Sequence, residues 1–260
     1  MSESPRISVV TPSFNQARYL RETLESVLSQ GYPNLEYIVI DGGSTDGSVE
    51  ILEEYSPRLD YWISEEDEGQ TDALVKGFAH ASGDILCWVN SDDQLEPGSL
   101  QYVADTFSSD PKLEFLWGDC RWVDDESRVL YTRREVRFVR WLWLYGYNYI
   151  PQPAAFWTRE LYERVGGLDR SVRVAMDTDL FARMSRVARL AKVHRVLARF
   201  RVHTLQRTKV EASDSESEVM DIVTRELGRR PKRLEWLVLH AFAKALRGAW
   251  RAIPRWRTDV

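Results

Sequence analysis

Two adjacent acids, Asp92 and Asp93, end the run Asp84-Ile85-Leu86-Cys87-Trp88-Val89-Asn90-Ser91. Paired carboxylates at the end of a buried strand suit a hard divalent cation such as Mg2+ or Mn2+. Such ions take oxygen ligands, and Mg2+ in particular is held by one or two protein carboxylates while substrate phosphates supply other positions. The competing reading is a solvated turn leading into the helix that Pro97-Gly98 opens. The abrupt stop of an apolar strand at the acids favours a ligand site, because open α/β sheets bind ligands at the carboxyl ends of their strands. Asp41 ends a second apolar run, Leu35 to Ile40, and is followed by Gly42-Gly43. It can accept a hydrogen bond from a base or ribose where the glycines leave room, or cap a turn. Asp177 and Asp179 stand at a helix start, where the dipole favours acids in any case; Asp177 is a candidate general base. His203 is a lone imidazole, open to a structural or a ligand role. Glu65 to Glu68 reads as a solvated acidic loop.

The elements that must position these residues follow from hydrophobic period and breakers. Arg6 to Thr11 reads as a strand, Pro12 to Asn15 as a loop, and Leu20, Leu24, Val27 and Leu28 as one face of a helix stopped by Gly31. Leu35 to Ile40 is a second strand, followed by a helix to about Tyr55. Tyr61 to Ser64 is a third strand, Thr71 to Ala81 a helix, Asp84 to Val89 a fourth strand, Gly98 to Ser108 a helix and Leu113 to Trp117 a fifth strand. Repeated strand–helix units imply an α/β protein with a mainly parallel sheet flanked by helices. Asp124 to Ser127 turns a hairpin, and Leu190 to Val193 and Val196 to Phe200 read as two further strands. Glu211 to Asp221, acidic and rich in serine, is either a linker or a solvated helix.

The 260 residues suffice for one sizeable core with an appendage or for two small domains. Two cysteines in apolar runs, Cys87 and Cys120, read as buried reduced thiols. The polar opening Met1 to Pro5 shows no signal peptide, and no apolar run approaches a membrane span, so a cytoplasmic location is expected. The sequence lacks a phosphate-loop motif, a dinucleotide fingerprint, a nucleophile elbow and zinc-ligand spacing, which disfavours the corresponding enzyme classes.

In order along the chain stand Val9-Val10-Thr11-Pro12-Ser13-Phe14-Asn15, Ile38 to Asp46, Gly69 to Gly77 with Ala81-Ser82-Gly83-Asp84, Asn90-Ser91-Asp92-Asp93, Gly166-Gly167-Leu168-Asp169, and Asp177-Thr178-Asp179-Leu180. Together these resemble glycosyltransferase family 2, inverting sugar transferases of the GT-A fold, over about Ile7 to His203. The resemblance implies a single Rossmann-like sheet and a metal-dependent hexosyltransferase using Mn2+ or Mg2+ and a UDP-, dTDP- or GDP-linked sugar. It implies nucleotide contacts at Thr11, Pro12, Phe14, Asn15, Asp41, Ser44, Gln70 and Asp92, metal contacts at Asp93 and Asp92, and Asp177 as base. Arg201-Val202-His203 resembles the family's late Arg-x-His, which places His203 at the metal or diphosphate. The chain departs from the family pattern at Asn90, where Asp is frequent, and at Met176, where Glu is frequent.

The resemblance divides the chain into a catalytic domain at 1–208, with the nucleotide sugar at about 1–120 and the acceptor and base at 121–208, and a helical basic extension at 209–260. The aromatic stretch Trp141 to Tyr149 with Pro151-Gln152-Pro153 falls at the acceptor side, naming Gln152, Trp143 and Tyr147; packing beneath the base loop is the alternative. Gly228 to Arg257 holds nine Lys or Arg and one Glu, a net of +8 against −5 for the whole chain, so the remainder carries −13. With Leu234, Leu237, Val238, Ala241, Phe242, Ala245, Leu246, Ala249, Trp250 and Ile253 at helical spacing, 228–257 fits a peripheral contact with the inner face of the cell membrane. It fits equally a packing surface on the catalytic domain or on a second subunit in a homodimer. The expected acceptor is a carbohydrate or lipid-linked hydroxyl in cell-envelope polysaccharide or glycolipid synthesis, with no nucleic-acid partner. A sugar-nucleotide-binding protein without catalysis and a nucleotidyltransferase of related architecture are the competing functions.

Overall fold

A computed structural model describes residues 4–146, 148–204, 206 and 211–251. The apolar runs form a nine-stranded sheet. Its parallel half consists of β1 (Ile7–Ser13), β2 (Leu35–Asp41), β3 (Tyr61–Ser64) and β4 (Ile85–Trp88), in the order β3-β2-β1-β4. Register is fixed by burial: Val10 pairs with Ile38 on one side and Trp88 on the other, and all three are buried. A one-residue slip would turn every such side chain to the opposite face.

The second half is mixed. β5 (Gln94–Leu95), β6 (Phe115–Val123), β7 (Val129–Arg133), β8 (Ala155–Thr158) and β9 (Leu190–Arg201) continue the sheet as β4-β8-β6-β9-β5, with β7 off the edge of β6. β8 inserts antiparallel between β4 and β6, β6 runs parallel to β9, β5 pairs antiparallel with β9, and β7 antiparallel with β6. The expected mainly parallel sheet is therefore wholly parallel only in its first half, and mixed in its second, where β6 and β9 alone run parallel. Periodicity reports that a strand is buried but not which way it runs. Boundaries also differ from expectation, beginning with β1, which continues through Pro12 and Ser13, paired with Ile40 and Asp41, where a loop is expected. The fifth strand extends past Trp117 through Cys120 to Val123, and the two late strands join into β9. Gly118 permits the irregular β6–β9 pairing there: a Cβ would lie 2.5 Å from Leu197 Cγ and 2.6 Å from the Arg195 carbonyl oxygen.

Helices cover both faces. α1 (Ala17–Leu28), α2 (Ser48–Tyr55) and α4 (Ser99–Ser109) bury Leu20, Leu24, Val27, Leu52, Leu100 and Val103 on one side. α3 (Gln70–His80), α5 (Arg140–Gly146), α6 (Arg159–Arg164) and α7 (Met176–Met184) bury Leu74, Phe78, Trp143, Leu161, Leu180 and Phe181 on the other. Gly77 lets α3 approach β1, since a Cβ there would sit 2.4 Å from Val10 Cγ1. Trp88, Trp117 and Trp157 are core residues, and both cysteines are buried and free.

Two more helices follow. The acidic, serine-rich stretch forms α8 (Ala212–Leu227), whose Ile222 and Val223 are buried and whose Arg225 and Glu226 pair with Asp179 and Arg140. α9 (Arg233–Arg251) lies against α5, with Trp236 beside Tyr145 and His240 Nδ1 2.7 Å from the Tyr145 carbonyl oxygen.

Candidate active site

A cleft of 1640 Å³ opens where β1, β2 and β4 end, bounded further by the approach to α7 and by the first turns of α8. Pro12, Phe14, Asn15, Gly42, Gly43 and Thr45 line one end. The loops after β1 and β2 are tied together by polar contacts. Asn15 sits at φ 51°, a left-handed conformation that Asn tolerates better than most residues. Its backbone N–H donates to Ser44 Oγ (2.8 Å), and its side-chain Oδ1 accepts from the Thr45 N–H (2.9 Å). Asp41 is fully buried. Its carboxylate accepts from the Ser44 N–H (2.8 Å), Ser44 Oγ (2.6 Å) and Ser64 Oγ (2.7 Å). Asp41 and Ser44 thus shape the loop from behind. Thr11 is likewise buried, its hydroxyl 3.0 Å from that of Tyr37. Phe14 stands at the rim, 59% exposed, an unusual position for a large aromatic.

Gln70, Trp88, Asn90, Asp92, Asp93 and Gln152 lie in the middle of the cleft. Asn90 is a hub: its Oδ1 accepts from Gln70 Nε2 (2.7 Å), and its Nδ2 donates to Asp93 Oδ2 (3.2 Å) and Gln152 Oε1 (3.3 Å). Gln152 Nε2 in turn donates to the Trp88 carbonyl (2.8 Å). The two acids differ. Asp92 Oδ2 lies 2.9 Å from His203 Nε2. Asp93 is buried, and its Oδ1 accepts the Arg201 N–H at 3.0 Å. Burial, and then the charge of neighbouring Asp92, push the Asp93 carboxyl well above the usual carboxylate range. Among the described residues no group of three or more His, Cys, Asp or Glu forms a ready cation cage. One carboxylate and one imidazole that converge beside a cleft nevertheless fit an ion whose remaining ligands come from a diphosphate.

Arg201, whose neighbour His203 is the residue that the family resemblance singles out, organises this floor. Its side chain is fully buried. Nε donates to the Asp92 carbonyl (2.9 Å), one terminal nitrogen to the carbonyls of Asp124 (3.2 Å) and Asp125 (3.0 Å), and the other to Glu22 Oε2 (2.7 Å). The guanidinium also lies 4.6 Å from the Tyr19 ring centroid. A planar five-donor fork can join four segments in this way, and a Lys ammonium cannot. The local signal is an Arg that ends β9 next to Phe200, where a buried charge must find partners.

Asp177 borders the cleft at the start of α7. Oδ1 accepts the Thr178 N–H (2.6 Å) and Oδ2 accepts Asn148 Nδ2 (2.9 Å). Burial raises its pKa, opposed by these hydrogen bonds. Asn148 is itself fixed, because its Oδ1 accepts from Trp143 Nε1 (3.2 Å) and the Ile150 N–H (3.0 Å). Asp179 faces away, bridged to Arg183 and Arg225 at 2.6 Å each. The approach to Asp177 is clamped from α8: the Glu218 carboxylate accepts the N–H groups of Arg173 (2.8 Å), Val174 (2.8 Å) and Ala175 (2.7 Å). Of the residues expected on the acceptor side, Gln152 lines the cleft. Trp143 is buried and touches Asn148, so its indole cannot face an acceptor. Tyr147 lies outside the described residues.

The sequence profile of Glycosyl transferase family 2 matches residues 8–160. An uncharacterized glycosyltransferase of Mycobacterium tuberculosis is 34% identical over 202 residues, 77% of this chain and 76% of the relative. In three dimensions the chain is similar to S. aureus TarS 1–349 in complex with UDP-GlcNAc, at a TM-score of 0.69 and 19% identity, covering 92% of this chain and 71% of that one. It is also similar to the mannosyltransferase PcManGT of Pyrobaculum calidifontis in complex with GDP-Man and Mn2+, at a TM-score of 0.65 and 21% identity, covering 96% and 75%. Both are GT-A glycosyltransferases, and the mixed sheet described above is that fold. On the profile match and the extent of the mycobacterial relationship, the chain belongs to glycosyltransferase family 2.

Proposed function

We propose that the protein is an inverting glycosyltransferase that moves a sugar from a nucleoside-diphosphate sugar to an acceptor hydroxyl. The observation that carries this reading is the shared cleft, into which both a raised-pKa carboxylate, Asp177, and the His203-paired Asp92 open. Phe14 offers a face to a nucleobase, and Pro12, Asn15 and the Gly42-Gly43 backbone leave a channel beside it. Asp41, Ser44 and Thr11 support this end from within, and Gln70 and Asn90 line the path towards Asp92. Asp92 and His203, with Asp93 behind them, would hold a Mn2+ or Mg2+ ion. Such an ion supplies Lewis-acid stabilisation of charge on a departing diphosphate. Asp177 removes the proton from the acceptor hydroxyl as that oxygen attacks the anomeric carbon, so the bond forms on the face opposite the leaving group. A positioned base of this kind contributes about 10²–10⁴-fold. Its raised pKa keeps it a stronger base than an exposed Asp, and Asn148 aims its outer oxygen. Gln152 stands where an acceptor carbohydrate or glycolipid would approach.

The catalytic unit is taken as 1–208. The extension from 209 contributes Glu218 to the base loop and part of the cleft wall. Among the described residues no helix is long and apolar enough to cross a membrane, and we place the protein in the cytoplasm with a peripheral membrane contact.

The test is incubation with a panel of UDP-, dTDP- and GDP-sugars and Mn2+, reading nucleoside diphosphate release and the anomeric configuration of the product. Asp177→Asn should abolish transfer and leave nucleotide binding within a few-fold. Near-normal turnover in that variant would remove Asp177 as the base, and a product of retained configuration would overturn the inverting mechanism.

A further inference from the structure

α9 has two apolar faces, and only one of them is covered. Trp236, Leu239, Ala243 and Trp250 pack toward the body, while Arg247 donates to the Gly146 carbonyl at 3.1 Å. On the outer side Leu234, Leu237, Val238 and Phe242 are 75%, 55%, 57% and 57% exposed, Phe242 meeting the Trp141 ring edge-on at the margin of the face, with Leu246 continuing it and small alanines between them. The spacing of three and four residues places them in one continuous stripe along the helix. A stripe of this kind marks an interaction surface, since scattered single apolar residues are ordinary and contiguous ones are not.

We infer that this outer face of α9 docks the protein on an anionic lipid bilayer. The inference does not depend on the transfer chemistry; it rests on charge. Arg230, Lys232, Arg233 and Lys244 are exposed around the stripe. The one acid of α9, Glu235, is already bound by Arg229 at 2.5 and 2.8 Å. A two-fold pairing of the same face with a second copy would bring cations toward cations with no exposed acid of α9 to meet them. An anionic headgroup layer meets the same rim favourably, while Leu and Phe side chains reach the acyl boundary. The rest of the chain carries −13 against +8 in Gly228 to Arg257, so an anionic surface repels the body and attracts this face, which fixes the orientation. α9 packs on α5, and Asn148, the partner of Asp177, follows shortly after α5. Docking would therefore hold the acceptor end of the cleft near the lipid surface.

The experiment is co-sedimentation of the full-length chain with phosphatidylglycerol-containing vesicles and with pure phosphatidylcholine vesicles, at low and high salt, alongside light scattering for mass. Leu237→Gln/Val238→Gln alters exposed positions only, and unchanged circular dichroism and melting verify its fold. The wild type should pellet with anionic vesicles and be released by salt, and the double variant should bind about 100-fold more weakly, from the loss of two buried aliphatic anchors. Equal pelleting of wild type and variant would overturn the inference. So would a wild-type dimer that the same substitutions dissociate without any vesicle binding, which would assign the face to a second copy. Pelleting with neutral vesicles as strong as with anionic ones would overturn the electrostatic part.

Discussion

Asn148→Leu separates the aim of the proposed base from its identity. The substitution keeps the approximate volume and deletes the Nδ2–H that donates to Asp177 Oδ2 at 2.9 Å. That bond stabilises the ionised carboxylate, so its loss must raise further a pKa that burial already holds above the ordinary value. A hydrogen bond to a charged group contributes about 1.5–3 kcal/mol, so the rise is large enough to follow by titration. The change also leaves the Trp143 indole N–H and the Ile150 N–H without the oxygen they share, at a stability cost of about 1–3 kcal/mol. Two measurements follow the effect. One is the carboxyl 13C titration of Asp177, assigned by its absence in Asp177→Asn. The other is the acid limb of nucleoside diphosphate release from the donor sugar. Both should move to higher pH together, with turnover recovering on the alkaline side. An unchanged Asp177 titration, or a shift to lower pH, would refute the reasoning, because a purely structural role for Asn148 would lower stability without moving that pKa.

Three further outcomes are expected. Because the folded-state pKa of Asp177 is raised, its ionisation opposes folding: the stability it contributes is present below its unfolded pKa and is lost as pH rises through the folded one. Asp177→Asn should therefore be more stable than wild type at pH 8, and the difference should shrink toward pH 3; a pH-independent difference would contradict the assignment. Arg201→Met should destabilise by about 1–3 kcal/mol or more, as it leaves the Asp92, Asp124 and Asp125 carbonyls without their donor, and Arg201→Lys should not restore stability in thermal unfolding. Asp92→Ala should weaken calorimetric binding of nucleoside diphosphate with Mn2+ while leaving the metal-free affinity within a few-fold; equal losses in both conditions would argue against a metal at the Asp92–His203 pair.

The amino-acid sequence by itself determined where the loops of the site begin. β2 and β4 are short, mostly apolar runs that stop at Asp41 and Trp88, and such runs declare themselves locally because burial on both faces leaves few polar positions within them, whereas β1 runs past its expected end at Thr11, through Pro12 to Ser13. The helix start at Met176 and the hairpin at Asp124 to Ser127 were legible for the same local reason. Chain pattern also carried the order of motifs, and with it the family. What it did not carry is anything set by neighbours remote in the chain. Asp177 and Asp179 share a helix turn, and only the packing of Arg183 and Arg225 around one of them leaves the other for the cleft. Asp92 meets His203 across 111 residues because β9 returns antiparallel beside β5, a pairing that no spacing announces. Trp143 reads as a platform for a sugar and proves to be the buried partner of Asn148, since an aromatic residue reports its own size and not what covers it. The same distinction separates the two faces of α9. Sequence shows an apolar, basic helix, and tertiary contact decides which of its apolar residues the body has already claimed.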